Sequence, residues 1–213
     1  MEGPPLSFIT ILTLAGVAVF AASGALAAGR RSLDPIGVMV LAIVTATGGG
    51  TLRDVLMDRH PVFWISEPSM IGVCVAAAAV TWLWVRRFPP PHRALQYADA
   101  LGLAFFSIAG ARIAEGAHLS PFICIIMGAL TGCAGGLIRD VLVAEVPLIF
   151  RKSELYVTAC LAGICAYLAL EALGVPSEFA SLTGIAVIAL IRIASIRWRI
   201  MLPVFEIPSR PDP

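Results

Sequence analysis

Long uncharged stretches separated by short polar connections are the dominant pattern of this chain. Leu6 to Gly29 and Pro35 to Leu52 carry no charged residue, and Gly116 to Ile138 contains only His118. Runs of about 18 to 23 apolar residues match a bilayer core of roughly 30 Å. The pattern predicts seven helices, at about 6–28, 35–57, 69–86, 95–115, 120–143, 154–173 and 179–200. The connections are short, so residues 1–213 read as a single membrane domain. Its nearest approach to a linker is Phe88 to Arg93, where three consecutive prolines prevent helix continuation and favour a stiff spacer.

A repeat organises these helices. Phe20 to Pro61 aligns without a gap onto Phe106 to Pro147 at a constant offset of 86, with about a third of the positions identical. Gly24/Gly110, Pro35/Pro121, Gly49/Gly135, Gly50/Gly136, Arg53/Arg139, Asp54/Asp140 and Pro61/Pro147 are among the matches. Residues 6–87 thus form one three-helix repeat and 94–173 a second, with the seventh helix, 178–200, outside the duplication. Because each repeat crosses an odd number of times, the second copy enters from the opposite side. The predicted fold is an all-α integral membrane protein with inverted repeats.

Charge placement gives an orientation. With the N-terminus outside, the inner segments hold Arg30 and Arg31; Arg86, Arg87 and Arg93; Arg151 and Lys152; and Arg197 and Arg199. The outer loops hold little beyond Arg59, as the positive-inside rule requires. The first span lacks a basic n-region and has a counterpart in the fourth, so it is not expected to be a cleaved signal. Hydrophobic residues make up 59% of the chain and charged residues 14%, well below a soluble domain. The net charge of +1 hides the split between faces, and no basic cluster suggests nucleic acid as a partner.

Enzymatic chemistry finds little support. The five cysteines lie inside spans without a CxxC pair and read as small packing residues. His60, His92 and His118 are too scattered for a metal site, and no nucleophile triad, phosphate loop or HExxH motif occurs. The expectation is a non-enzyme without a cofactor.

The distinctive chemistry is Gly48-Gly49-Gly50 followed by Arg53-Asp54, with its copy Gly135-Gly136 followed by Arg139-Asp140. Consecutive glycines weaken a helix by about 1 kcal/mol each relative to alanine and invite a kink or an unwound turn. Unwound backbone is tolerated at membrane depth only beside water or inside protein. Alternatively, the glycines admit a close neighbouring helix. Their duplication, each time with Arg-Asp, favours a functional role, since charge at bilayer depth is costly. Neighbouring helical residues point about 100° apart, so Arg53 and Asp54 are not expected to pair with each other. The predicted arrangement is two charge stations flanking a central constriction, each with its own vestibule. Thr45 and Thr131, one turn before the glycines, either face this pathway or bond to their preceding turn. Arg112 breaks the repeat symmetry near the outer end of its span and either snorkels or serves gating, while Arg192, deep in the seventh helix, either pairs with an acidic residue of the bundle or responds to voltage.

The Gly-Gly-Gly-x-x-Arg-Asp motif, its degenerate copy and the three-plus-three-plus-one helices resemble the prokaryotic trimeric intracellular cation (TRIC) channels. The resemblance covers about residues 6 to 200. It implies a homotrimer in the prokaryotic inner membrane, with a pore in each protomer and a monovalent cation, chiefly potassium, as the permeant ion. It also implies that the second and fifth helices line the pore and kink at Gly48-Gly49-Gly50 and Gly135-Gly136. Ala134 replaces the first glycine of the second copy, which implies a weaker kink there. The alternative is a secondary transporter of a small amino acid such as glycine, because inverted repeats with broken helices also build carriers and Arg53 and Arg139 suit a carboxylate.

Overall fold

The computed structural model describes residues 7–151, 155–201 and 203. The ends of the predicted first and sixth spans at residues 6 and 154, and the inner-loop residue Lys152, lie outside the described residues. Seven main helices follow: α1 Phe8–Arg30, α2 Pro35–Leu56, α3 Ser69–Arg87, α4 Ala94–Gly116, α5 Pro121–Leu142, α6 Val157–Ala172 and α7 Ser177–Trp198. Six are long and apolar enough to cross a membrane, and α6, at 16 residues, is a shorter apolar helix. A four-residue helix, Phe63–Ser66, and a 3-10 turn, Leu148–Phe150, follow α2 and α5 respectively.

Local sequence sets these boundaries. Ser7 caps α1 by accepting the Thr10 amide, and Asp34 caps α2 by accepting the Gly37 amide at 2.6 Å with Pro35 in the first helical position. Ser120-Pro121 repeats the latter arrangement at the start of α5, without a side-chain capping bond. At the other ends, Ser32 and His118 take left-handed conformations (φ 54° and 58°), as do Asp58 and Ala144 (φ 51° and 53°). Each pair is separated by the repeat offset, and the amides of Leu33 and Leu119 close onto Ala28 and Ala114 in the same way. The duplication therefore extends into the turns.

Packing shows that the two copies are inverted. Phe20 and Phe106, equivalent residues of α1 and α4, stack with centroids 5.3 Å apart and planes at 19°. Gly16 lies against the Phe106 ring and its equivalent Gly102 against the Phe20 ring, so the two helices run antiparallel across a pseudo-twofold axis. Likewise Gly49 of α2 meets Thr131 of α5, while Thr45 of α2 meets Gly135. By contrast α3 buries only Met70, Cys74 and Ala78, a single stripe at one-turn spacing, leaving Val80, Leu83 and Trp84 exposed. In a membrane that apolar surface is suited to lipid.

Candidate functional site

The glycine segments sit where α2 crosses α5. Both helices run unbroken through them, so the predicted unwinding does not occur. The physical reason is close approach. A Cβ on Gly49 would overlap the Thr131 carbonyl oxygen, and one on Gly135 would overlap the Thr45 carbonyl oxygen. Gly48 faces Gly135 Cα and the tip of Ile138, Gly50 faces the Phe63 ring, and Gly136 faces Asp99 Oδ1 and the Tyr156 hydroxyl. Small residues allow two membrane helices to pack backbone to backbone, and here they do so in a symmetric pair. Thr45 and Thr131 are fully buried, and each hydroxyl donates to the carbonyl one turn earlier (Leu41 and Met127, both 2.6 Å).

One turn beyond the crossing, Arg53 and Asp54 do bond to each other, contrary to the geometric expectation. Arg53 Nε and Nη2 donate to Asp54 Oδ1 at 2.9 and 2.7 Å. Arg139 repeats the arrangement, Nε donating to Asp140 Oδ1 at 2.8 Å. The 100° between adjacent Cα–Cβ bonds constrains short side chains, whereas three methylenes carry a guanidinium around the helix to its neighbour. The second carboxylate oxygens are held from beyond the helix: Asp54 Oδ2 accepts the Phe63 amide and Asp140 Oδ2 the Leu148 amide, both at 2.9 Å. The short turns after α2 and α5 therefore fix the two aspartates. All four charged residues are at most 4% exposed.

The stations open on opposite ends of the molecule. Arg53 and Asp54 line a cavity of about 490 Å³ together with Ile9, Thr10 and Thr13 from the start of α1. Asp140 lines a smaller one of about 90 Å³ beside Ala27 and Arg30 from the end of α1. The two share no lining residue, and the α2–α5 crossing lies between their stations. At the smaller mouth Glu145 is bridged by Arg151 at 2.6 Å and Arg31 at 3.1 Å. The Arg151 hydrogen bond holds the Glu145 carboxyl below its ordinary range, against a partial desolvation penalty. A depressed carboxyl contributes stability above its unfolded pKa of about 4.3 and loses it as pH falls through the lower folded value. Glu145→Gln is therefore expected to flatten the acid limb of a melting-temperature profile; an unchanged limb would show that this clasp contributes nothing.

Two further arginines have packing partners. Arg112 Nη1 donates to Ser181 Oγ at 3.0 Å and its guanidinium lies 5.2 Å from the Phe8 ring, tying α4 to α7 and to the start of α1. Arg192 is fully buried, 4.7 Å from the Tyr156 ring centroid. The principal residue that sequence reasoning missed is Asp99 of α4, fully buried, whose Oδ1 accepts from Arg139 Nη1 at 2.8 Å. Ser23 accepts from the same nitrogen at 2.5 Å. Asp99 was findable: it is an acid within a span, and its repeat equivalent is Thr13.

Antiparallel repeats, a glycine-packed crossing and buried Arg-Asp pairs define a polytopic membrane protein of the inverted-repeat class, with a seventh helix added. A family model described as glycine transporter matches residues 10–86 and again 96–172, once per repeat. The UPF0126 inner membrane protein YadS of Escherichia coli K12 is 45% identical over 201 residues, 92% of this chain and 95% of that protein. A UPF0126 membrane protein of Vibrio cholerae is 46% identical over 204 residues, 94% and 84% of the two chains. Among solved structures, the TRIC trimeric intracellular cation channel orthologue from Rhodobacter sphaeroides superposes with a TM-score of 0.85 at 39% identity, covering 89% of this chain and 97% of that one. A prokaryotic TRIC channel crystallised in 0.5 M KCl gives 0.84 at 28% identity, covering 89% and 96%. The chain belongs to this family of prokaryotic TRIC channels and UPF0126 membrane proteins.

Proposed function

We propose that this protein is a monovalent cation channel, conducting chiefly potassium through a pore in each protomer of a homotrimer. The reading places it in the prokaryotic inner membrane with its N-terminus outside and C-terminus in the cytoplasm, so that the Arg53-Asp54 cavity opens outward. The observation that carries it is the pair of Arg-Asp stations, one at each end of a crossing formed by α2 and α5. Similarity to TRIC cation channels supports it, as does the basic character of the segments assigned to the cytoplasm.

In this reading Gly48, Gly49, Gly50, Gly135 and Gly136 form the constriction, with Thr45 and Thr131 supplying the carbonyls that seal it. Loosening of this crossing joins the two cavities. Asp54 and Asp140 concentrate cations at the mouths, while Arg53 and Arg139 hold the carboxylates in place and keep an ion from being trapped. Arg112 and Arg192 couple α4 and α7 to the core and respond to gating stimuli. Asp54→Asn is expected to lower unitary potassium current or cation selectivity severalfold while the protein still elutes as a folded species. Currents and reversal potentials equal to wild type would remove Asp54 from the pathway.

The description of the matched family model favours one second reading, a carrier for glycine or another small amino acid. Arg53 and Arg139 would then meet the substrate carboxylate. Saturable, substrate-coupled uptake into proteoliposomes, without unitary current, would establish that reading.

A further inference from the structure

The repeat makes the two Arg-Asp stations equivalent in sequence, but the surrounding charges make them opposites. Asp54 lies between two guanidiniums: Arg53 at 2.7 Å and Arg59 at 3.6 Å. In the second copy the position of Arg59 is Glu145, engaged instead by Arg31 and Arg151. Arg139 in turn lies between two carboxylates, Asp140 and Asp99, each at 2.8 Å. In the first copy the position equivalent to Asp99 is Thr13, whose hydroxyl donates to the Ile9 carbonyl at 2.8 Å. One acid between two bases has formal charge +1, and one base between two acids has −1.

Burial determines which half of this asymmetry matters more. Arg59 is half exposed, Asp58 and Glu67 on the same cavity are exposed, and on the Asp140 cavity Arg30 is exposed and Arg151 partly so; the fields of all five are screened by solvent and salt. Asp99 and Arg139 are fully buried, as is Arg192 against the Tyr156 ring, whose charge is the same in wild type and in every variant named below. A fixed charge there is screened far less and acts on the adjoining Asp140, which borders the smaller cavity.

We infer that Asp99 makes permeation directional: by sharing Arg139 it leaves Asp140 incompletely neutralised, so cations enter more readily from the Asp140 end than from the Asp54 end. Asp99 acts through Arg139 and borders neither cavity described above; it is a positioning residue. Thr13 in the first repeat withholds the same assistance from Arg53. This inference rests on the reading of the α2–α5 crossing as a cation pathway.

The test is single-channel recording of the purified full chain in symmetric potassium chloride, comparing conductance at equal and opposite voltages. Wild type is expected to rectify about two- to fourfold, the effect of one extra poorly screened charge on local cation concentration. Asp99→Asn is expected to bring the ratio close to one, and Asp99→Glu to retain the rectification. Thr13→Asp provides an independent variant, leaving Arg139 untouched: giving Arg53 a second carboxylate is expected to raise current entering from the Asp54 end and shrink the ratio. A purely structural role for Asp99 would shift the melting temperature without moving either ratio. Rectification that persists in Thr13→Asp, and in Asp99→Asn where that variant folds, overturns the inference while leaving the channel intact; so does a wild type that conducts without rectifying. A wild type that passes no potassium current overturns the channel reading itself.

Discussion

Alanine at Gly49 or Gly135 is expected to lower the melting temperature of the protein by several degrees. In each case the new methyl meets a backbone carbonyl oxygen of the opposing helix, Thr131 for Gly49 and Thr45 for Gly135. Backbone inside a helix cannot rotate away as a side chain does, so the helices must separate. Overpacking a close contact costs about 1–3 kcal/mol and sometimes more, and here both contacts lie on one symmetric crossing. Two controls separate close approach from helix propensity. At Gly48 the nearest group is Ile138 Cδ1 at 2.8 Å, the movable end of a side chain, so Gly48→Ala is expected to be far milder. A methyl at Gly72 on α3 would meet nothing within 4 Å, so alanine there is expected to be neutral or to stabilise by up to about 1 kcal/mol. Melting temperatures of the detergent-solubilised protein check the series. Equal melting of Gly49→Ala and Gly48→Ala would show that the α2–α5 contact is not the tight one.

Removing the Arg139 guanidinium is the second large effect. Arg139→Met leaves Asp99 and Asp140 buried side by side without the cation they share, and breaking such a pair from one side costs about 3–5 kcal/mol. Arg53→Met is expected to cost less: only Asp54 loses its partner, Arg59 remains 3.6 Å away, and the site borders a cavity of about 490 Å³. Adding Asp99→Asn to Arg139→Met is expected to recover part of the loss, since one orphaned carboxylate disappears. Equal destabilisation by the two arginine substitutions would mean that the second carboxylate contributes nothing.

These effects mark where the sequence was readable. Span positions were legible because uncharged length is a one-dimensional signal, and α2 and α5 begin at the residues, Pro35 and Pro121, that the alignment pairs. The duplication was legible in residues that need a specific backbone or charge. Inversion followed from an odd helix count and is visible in the antiparallel Phe20–Phe106 packing. The role of the glycines was ambiguous, since helix breaking and close approach select the same residue; only the opposing Thr131 and Thr45 carbonyls decide in favour of contact. The Arg53-Asp54 bond was not legible from Cα geometry, because the arginine side chain is long enough to escape it. Asp99 was hidden because a repeat displays what its copies share, whereas the departure from symmetry, Thr13 against Asp99, sets the stations apart.

Two separate cavities with a glycine crossing between them suit a channel closed at its middle, and they also suit a carrier caught between openings. Rate separates these mechanisms, because a carrier moves with each substrate whereas an open pore does not. Single-channel recording of the purified protein in planar bilayers, under a potassium gradient with sodium and chloride substitutions, tests the channel reading most directly. Discrete steps that reverse near the potassium potential are expected. Absence of steps together with saturable glycine uptake by the same preparation in proteoliposomes would contradict it.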